Sequence, residues 1–199
     1  MRLFVAVWPS PDAVRHLESA LEPVRQLAPG LRWVPSRNWH LTLTFLAEVP
    51  DAAQRELTGR LARAATRHAP LRLRFGAAGR FGDRVFFTRV SGDVDPLRWL
   101  AASTTAAARR TGLEVEDRAY RPHLTVARTN RSTRGLDLRK LVGALGDYEG
   151  PEWTAADLHL VQSRPGPSAR AAAESGDQAG SDRAQEYRTI VSWPLTGRP

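Results

Sequence analysis

Read as a pattern of apolar and polar positions, the chain opens with a strand over 3–8, an almost unbroken apolar run stopped by Pro9 and too short for a signal peptide. Apolar residues at Val14, Leu17, Leu21, Val24 and Leu27 then follow helical spacing and predict a helix over 11–27, with Pro23 awkward in its middle. A short stretch at 31–34 leads into WHLTLTFL at 39–46, which alternates like a strand. Pro50-Asp51 starts a helix to about His68, and Pro70 closes it. Strands at 71–75 and 84–90 join through a turn at 79–83. The second half repeats this grammar. Asp95-Pro96 opens a helix through about Thr111, with Gly112 at its end. A loop at 114–121, a strand at 123–127 (HLTVA), a helix over about 135–145 and strands at 157–163 and 187–195 follow. Between the last two strands, 164–186 carries Pro, Gly, Ala, Ser, Arg and Asp and almost no large apolar residue. It reads as a flexible surface loop inserted where a short hairpin turn would suffice. Strands outnumber helices, and helices fall between strand pairs. The predicted class is α+β, a bilobal duplicated fold of two antiparallel sheets with outer helices and a central cleft.

The two alternating strands share more than their period. His40-Leu41-Thr42-Leu43 and His123-Leu124-Thr125-Val126 stand 83 residues apart. With five His and fourteen Thr among 199 residues, chance supplies about 0.35 His-x-Thr placements, before Leu is required between them. Residues i and i+2 of a strand point the same way. Each copy therefore buries its aliphatic residues and shows a His-Thr pair to a groove. Phe45 is a candidate to stack on a base, although by the same parity it falls with the core-facing leucines and packing is its main expected role.

Composition narrows the setting. The length suits one compact domain made of two small lobes. Cysteine is absent, in keeping with a reducing cytoplasm, and no stretch approaches the ~20 apolar residues of a spanning helix, so no membrane partner is expected. The net charge of +8 permits a polyanion such as RNA. Yet 28 of the 29 basic residues are arginine, a skew that looks like coding bias, so the charge does not require one.

Two His-Thr pairs facing each other across a cleft suit one chemistry well. Opening a phosphodiester by in-line attack needs a base to take a proton from water and an acid to give one to the departing oxygen. Histidine serves in either capacity near neutral pH. Each threonine hydroxyl can donate to a non-bridging phosphate oxygen, where transition-state charge accumulates. The remaining histidines, His16, His68 and His159, lack the spacing of metal ligands, and no metal or cofactor is expected. Arg128, after the second motif, can pair with a phosphate bidentately. Tyr120 and Arg121 lie in the loop before that motif, where Tyr120 is the better placed aromatic for stacking on a base.

With these residues in view, the chain resembles the 2H phosphoesterases, named for two His-x-Thr motifs, and within them the RNA 2′,3′-cyclic phosphodiesterases, historically called 2′-5′ RNA ligases. MRLFVAV at 1–7, LRWVPSRNWHLTLTFLAEVP at 31–50, YRPHLTVAR at 120–128 and LHLVQSRPGP at 158–167 carry the likeness in the family's order. The resemblance implies a bilobal duplicated fold, a soluble monomer and metal-independent hydrolysis of a 2′,3′-cyclic phosphate, on an RNA end or a small cyclic nucleotide, to a 2′-phosphomonoester. It also implies that His40 is the proton donor, His123 the proton acceptor, and Thr42 and Thr125 the phosphate-binding threonines. Local symmetry of the two motifs leaves donor and acceptor undecided from the residues alone. Other chemistry of the superfamily, such as 2′-5′ ligation or hydrolysis of a nucleotide-sugar cyclic phosphate, and a non-catalytic RNA-binding role are the alternatives. Where the family has Gly after the FL of the first motif, this chain has Ala47.

Overall fold

The computed structural model of the chain describes residues 1–165 and 185–198. Elements follow in the order β1 (Arg2–Val7), α1 (Pro11–Leu27), β2 (Arg32–Trp33), β3 (Leu41–Glu48), α2 (Asp51–Ala65), β4 (Leu71–Phe81), β5 (Val85–Gly92), α3 (Val94–Arg109), β6 (His123–Arg128), α4 (Arg139–Ala144), β7 (Trp153–Ala155), β8 (Asp157–Pro165) and β9 (Gln185–Pro194). The expected insertion at 164–186 lies outside the described residues except at its ends. Those ends extend the hairpin, Arg164 pairing with Glu186 and Pro165 with Gln185. Among the described residues no helix is long and apolar enough to cross a membrane.

The strands form two antiparallel sheets, β3-β1-β8-β9 and β2-β6-β5-β4-β7, as the α+β reading expects. Helices α2 and α3 back the first sheet, α1 and α4 the second, and β3 meets β6 between them. The two halves of the sequence are not the two lobes, however. The first sheet takes β1, β3, β8 and β9, while the second takes β4 to β7 from between them and β2 from between β1 and β3.

Local chemistry explains where the expected elements hold and where they shift. Ser10 caps α1 by accepting from the Ala13 amide at 3.2 Å, Pro11 occupies the first turn, and Ala13, Leu17, Leu21 and Val24 are buried. Pro23 sits on the exposed side, so the helix runs through it and water can take up the freed carbonyl. The helix expected over 135–145 shrinks to α4 because Gly135 adopts φ +90°, outside the helical region. Strand β4 runs on to Phe81, and the expected turn narrows to residues 82–84. Gly79 is a strand residue whose missing side chain makes room: a Cβ there would stand 2.5 Å from the Phe87 ring.

Strand β3 contains the irregularity with most bearing on the site. Along β1, Ala6 faces Thr42 but Val5 faces Thr44, so Leu43 is an extra residue and the facing reverses after it. Thr44 turns inward, where its hydroxyl lies 2.6 Å from that of Thr104 and 3.1 Å from that of Thr105 on α3. Phe45 turns outward and is 53% exposed. A second slip follows between Phe45 and Ala47, and Ala47 takes φ +50°, a left-handed conformation that costs an L-residue about 1–2 kcal/mol. Glycine pays no such steric cost but loses more chain entropy. Ala47→Gly is therefore expected to stabilise the fold by about 0.5–1 kcal/mol, read as a higher urea midpoint at unchanged slope. A lower midpoint would show that the neighbouring contacts outweigh the backbone.

Candidate active site

Both histidines are held by one local device. His40, just ahead of β3, donates from Nδ1 to the carbonyl of Asn38 at 2.7 Å, and His123, at the head of β6, donates from Nδ1 to the carbonyl of Arg121 at 2.7 Å. A carbonyl can only accept, so each ring carries its proton on Nδ1 in the neutral state and leaves Nε2 as a lone pair. Asn38 is itself fixed, donating from Nδ2 to the Gln185 carbonyl at 2.8 Å.

The first sheet supplies an aromatic collar. Leu3, Val5 and Val7 of β1 join the main core, whereas Phe4 and Ala6, with Val161, Trp8 and Tyr187, line the opposite face. His40 lies against Phe4 at 4.7 Å, Tyr187 at 5.0 Å and Trp8 at 5.4 Å between ring centroids. His123 meets Phe81 at 4.8 Å and Phe87 at 5.4 Å, edge to face. Those two phenyl rings pack on each other at 4.4 Å, with Phe87 over Gly79. Such walls strip water from an imidazolium. Burial, with the positive charges of His123 and Arg128 nearby, pulls His40 down from 6.5 to about 4 despite its carbonyl partner. Burial also lowers His123, helped by Arg128 and Arg118.

These influences tie the halves of the cleft together. The charge of His123 reaches His40, and that of Arg128 reaches both histidines and Tyr187. Thr42 and Thr125 are half-buried on the same faces as their histidines, and among the described residues neither hydroxyl has a protein partner. Two accepting nitrogens, two free hydroxyls and a guanidinium thus converge.

The secondary candidates change rank. Phe45 does not pack inward as parity suggested. The extra residue in β3 brings it out beside Phe4, with centroids 6.1 Å apart and planes 16° from parallel. Tyr120, expected to be the stacking aromatic, packs instead against the core, and among the described residues its buried hydroxyl has no partner; burial pushes its pKa up. The Arg121 side chain is exposed, and its carbonyl is what the site uses. His159 is less isolated than its position on a strand suggested. It pairs across from Ala6 on the cleft side, 6.2 Å from Trp8. His16 and His68 lie elsewhere, bonded to Tyr148 at 3.0 Å and Ser103 at 2.9 Å.

Phe4, Trp8, Phe81, Phe87 and Tyr187 were not singled out from the sequence. The available signal was β1, whose residues are apolar at every position after Arg2. Such a strand is covered on both faces, so Phe4 and Trp8 had to meet something besides the core.

Comparison with known proteins identifies the family and the fold. The model of the family described as the 2′-5′ RNA ligase superfamily matches residues 6–167. The RNA 2′,3′-cyclic phosphodiesterase of Geobacillus stearothermophilus is 25% identical over 203 aligned positions, covering 98% of this chain and 58% of the relative. That of Bacillus subtilis (strain 168) is 33% identical over 103 positions, covering 49% of this chain and 55% of the relative. The chain thus spans a little over half the length of these two relatives. The crystal structure of TT0787 of Thermus thermophilus superposes with a TM-score of 0.73 at 25% identity, each chain covered completely at 100%.

Proposed function

Because the chain belongs to the 2′-5′ RNA ligase superfamily, we propose that it hydrolyses the 2′,3′-cyclic phosphate of an RNA end or nucleotide to a 2′-phosphomonoester, without a metal, as a single domain of two lobes in the cytoplasm. The observation that carries this reading is the matched pair of Nδ1-to-carbonyl bonds, which leaves two Nε2 atoms, one from each sheet, on a common cleft.

Each step has its group. Water attacks phosphorus and passes a proton to His123 Nε2, while the bond from phosphorus to O3′ breaks and His40, charged at the outset, gives its Nε2 proton to that oxygen. Donor and acceptor are assigned by likeness to the family. Thr42 and Thr125 donate to the non-bridging oxygens, and Arg128 balances the anion. The exposed Phe45 ring offers the terminal base a stacking surface, the role first given to Tyr120.

Two measurements test the proposal. Incubation with 2′,3′-cyclic AMP in the presence of EDTA is expected to release 2′-AMP. Release of 3′-AMP, a requirement for added metal, or RNA binding without turnover contradicts it, the last favouring the non-catalytic alternative. The second measurement is the pH profile. Rate falls as pH rises through the donor's pKa, because the acid loses its proton, and falls as pH drops through the acceptor's, because the base gains one. Both groups sit below 6.5 in the free protein, so kcat/KM is expected to peak on the acid side of 6.5, whichever ring is the donor. A bound cyclic phosphate answers the Arg128 charge and raises both values, so kcat peaks at higher pH than kcat/KM. A kcat/KM optimum above pH 7 would overturn this account of the site.

A further inference from the structure

The proposed hydrolysis uses two histidines, yet a third imidazole shares the floor of the cleft. His159 on β8 stands on the rung of Thr42, with Ala6 of β1 between them and Ser192 of β9 beyond. Both rung neighbours are small, and the one ring it meets among the described residues is the Trp8 indole, 6.2 Å away with planes 62° apart. Trp8 meets His40 in the same edge-to-face manner, at 5.4 Å and 68°. Apart from the small patch of Phe4, Ala6 and Val161 on which it packs, little else fixes that indole. It stands one residue past the end of β1, ahead of Pro9, and among the described residues its ring nitrogen makes no hydrogen bond. It also borders a cavity of about 370 Å³, shared with Pro9, Pro11, Val14 and Trp39, so there is space for it to swing. His159 is likewise held by packing: its Nδ1 is buried with no partner among the described residues, whereas the Nδ1 atoms of His40 and His123 are bonded to carbonyls.

We propose that His159 is a positioning residue for the reaction: its ring braces the Trp8 indole against His40 and so keeps water off the imidazole that serves as proton donor. The proposal rests on the hydrolytic reading of the cleft. Phe4, Tyr187 and Trp8 enclose His40, and the loss of water they impose is the largest influence on its charge. Phe4 is 2% exposed within β1 and Tyr187 is held in β9, whereas Trp8 lies beyond its strand, so it is the wall with freedom to move. Charge does not stand in for packing here. The charges that bear on His40 are those of His123 and Arg128 from the second sheet, and His159 is not among them. The charge facing His159 is that of Asp157, two residues back on its own strand, while β1 and β9 offer it Ala6, Trp8 and Ser192. His159 therefore acts as a flat, half-buried ring, a part that a phenyl of similar size can take over.

The test follows the titration of His40 itself, by NMR of its ring in the free protein, the signal being assigned by its loss in His40→Ala. His159→Ala removes the brace, and the His40 midpoint is expected to rise by about one pH unit as water reaches the ring. The kcat/KM optimum for 2′,3′-cyclic AMP lies midway between the two histidine midpoints and is expected to rise by about half as much, whichever ring is the donor. His159→Phe keeps a ring and removes an unpartnered nitrogen, so it is expected to leave the His40 midpoint within about 0.3 of a pH unit and to raise the urea midpoint. In a Trp8→Leu background His159→Ala is expected to add little, because the indole through which it acts is gone. A His40 midpoint unmoved by His159→Ala, moved equally by His159→Phe, or moved as far with Trp8→Leu as without it, overturns the proposal. So does a kcat/KM optimum that stays in place while His40 moves. If His159→Ala does not fold, His159→Val, a strand former without a ring, replaces it with the same expected shifts. Absence of turnover in the wild type defeats the hydrolytic reading instead, and the NMR titration still decides whether His159 braces Trp8 against His40.

Discussion

Replacing either cleft imidazole, as His40→Ala or His123→Ala, is expected to lower kcat for 2′,3′-cyclic AMP by about 10²–10⁴-fold, the usual contribution of one positioned acid or base. The two losses should not multiply. Proton donor and acceptor act in one transition state, so the double variant is expected to fall little below the worse single one. The residual pH dependence then assigns the roles. A protein without its base no longer slows as pH falls, and one without its acid no longer slows as pH rises, so His123→Ala is expected to lose the acid limb and His40→Ala the alkaline one. The opposite pattern would exchange the assignments and keep the chemistry. Retention of more than about a third of the wild-type rate in either single variant would remove that ring from the reaction. Neither change should unfold the protein, because both rings stand on the cleft side of their strands rather than among the buried leucines.

Thr42→Ala and Thr125→Ala carry the second large effect, about 10- to 10³-fold each in kcat, as expected where a hydrogen bond to an oxyanion strengthens in the transition state. The contrast with Thr44 makes this a sharp test. Two positions along, Thr44 faces inward and its hydroxyl is shared with Thr104, which in turn donates to the Ala101 carbonyl at 2.9 Å. Thr44→Val is expected to cost about 1 kcal/mol of stability, seen in the urea midpoint, with kcat little changed. Thr42→Ala should do the reverse. If Thr42→Ala weakened the fold and spared the rate, the hydroxyl would be structural and the proposed phosphate contacts would be wrong.

How far the chain could be read in advance depends on which forces were local. The parity of His40 with Thr42 and of His123 with Thr125 needed only the two-residue period of a strand, and it survives in the structure. Ser10-Pro11 set the start of α1 by an interaction three residues long, equally visible in the letters. Phe45 was beyond that reach because its facing depends on how β3 registers against β1, a relation between segments distant in sequence. The 79–83 stretch looked like a turn because glycine is the usual turn residue, whereas Gly79 is small so that Phe87, on the neighbouring strand, can lie over it and reach His123. Tyr187 escaped notice for the same reason: its place beside His40 is set by the pairing of β9 with β8 and of β8 with β1.

The weaving of both ends of the chain into one sheet has a consequence for biosynthesis. His40 is translated well before β8 and β9, which its sheet needs, and Asn38, whose carbonyl orients the ring, is itself held by the Gln185 backbone. The nascent polypeptide must wait, with the first of the two imidazoles unanchored, until β9 has left the ribosome. Closing contacts across so long a stretch of sequence is slow. The His40 side of the cleft is therefore completed only with β9, and a product truncated before β8 lacks half of the lobe that carries the first histidine.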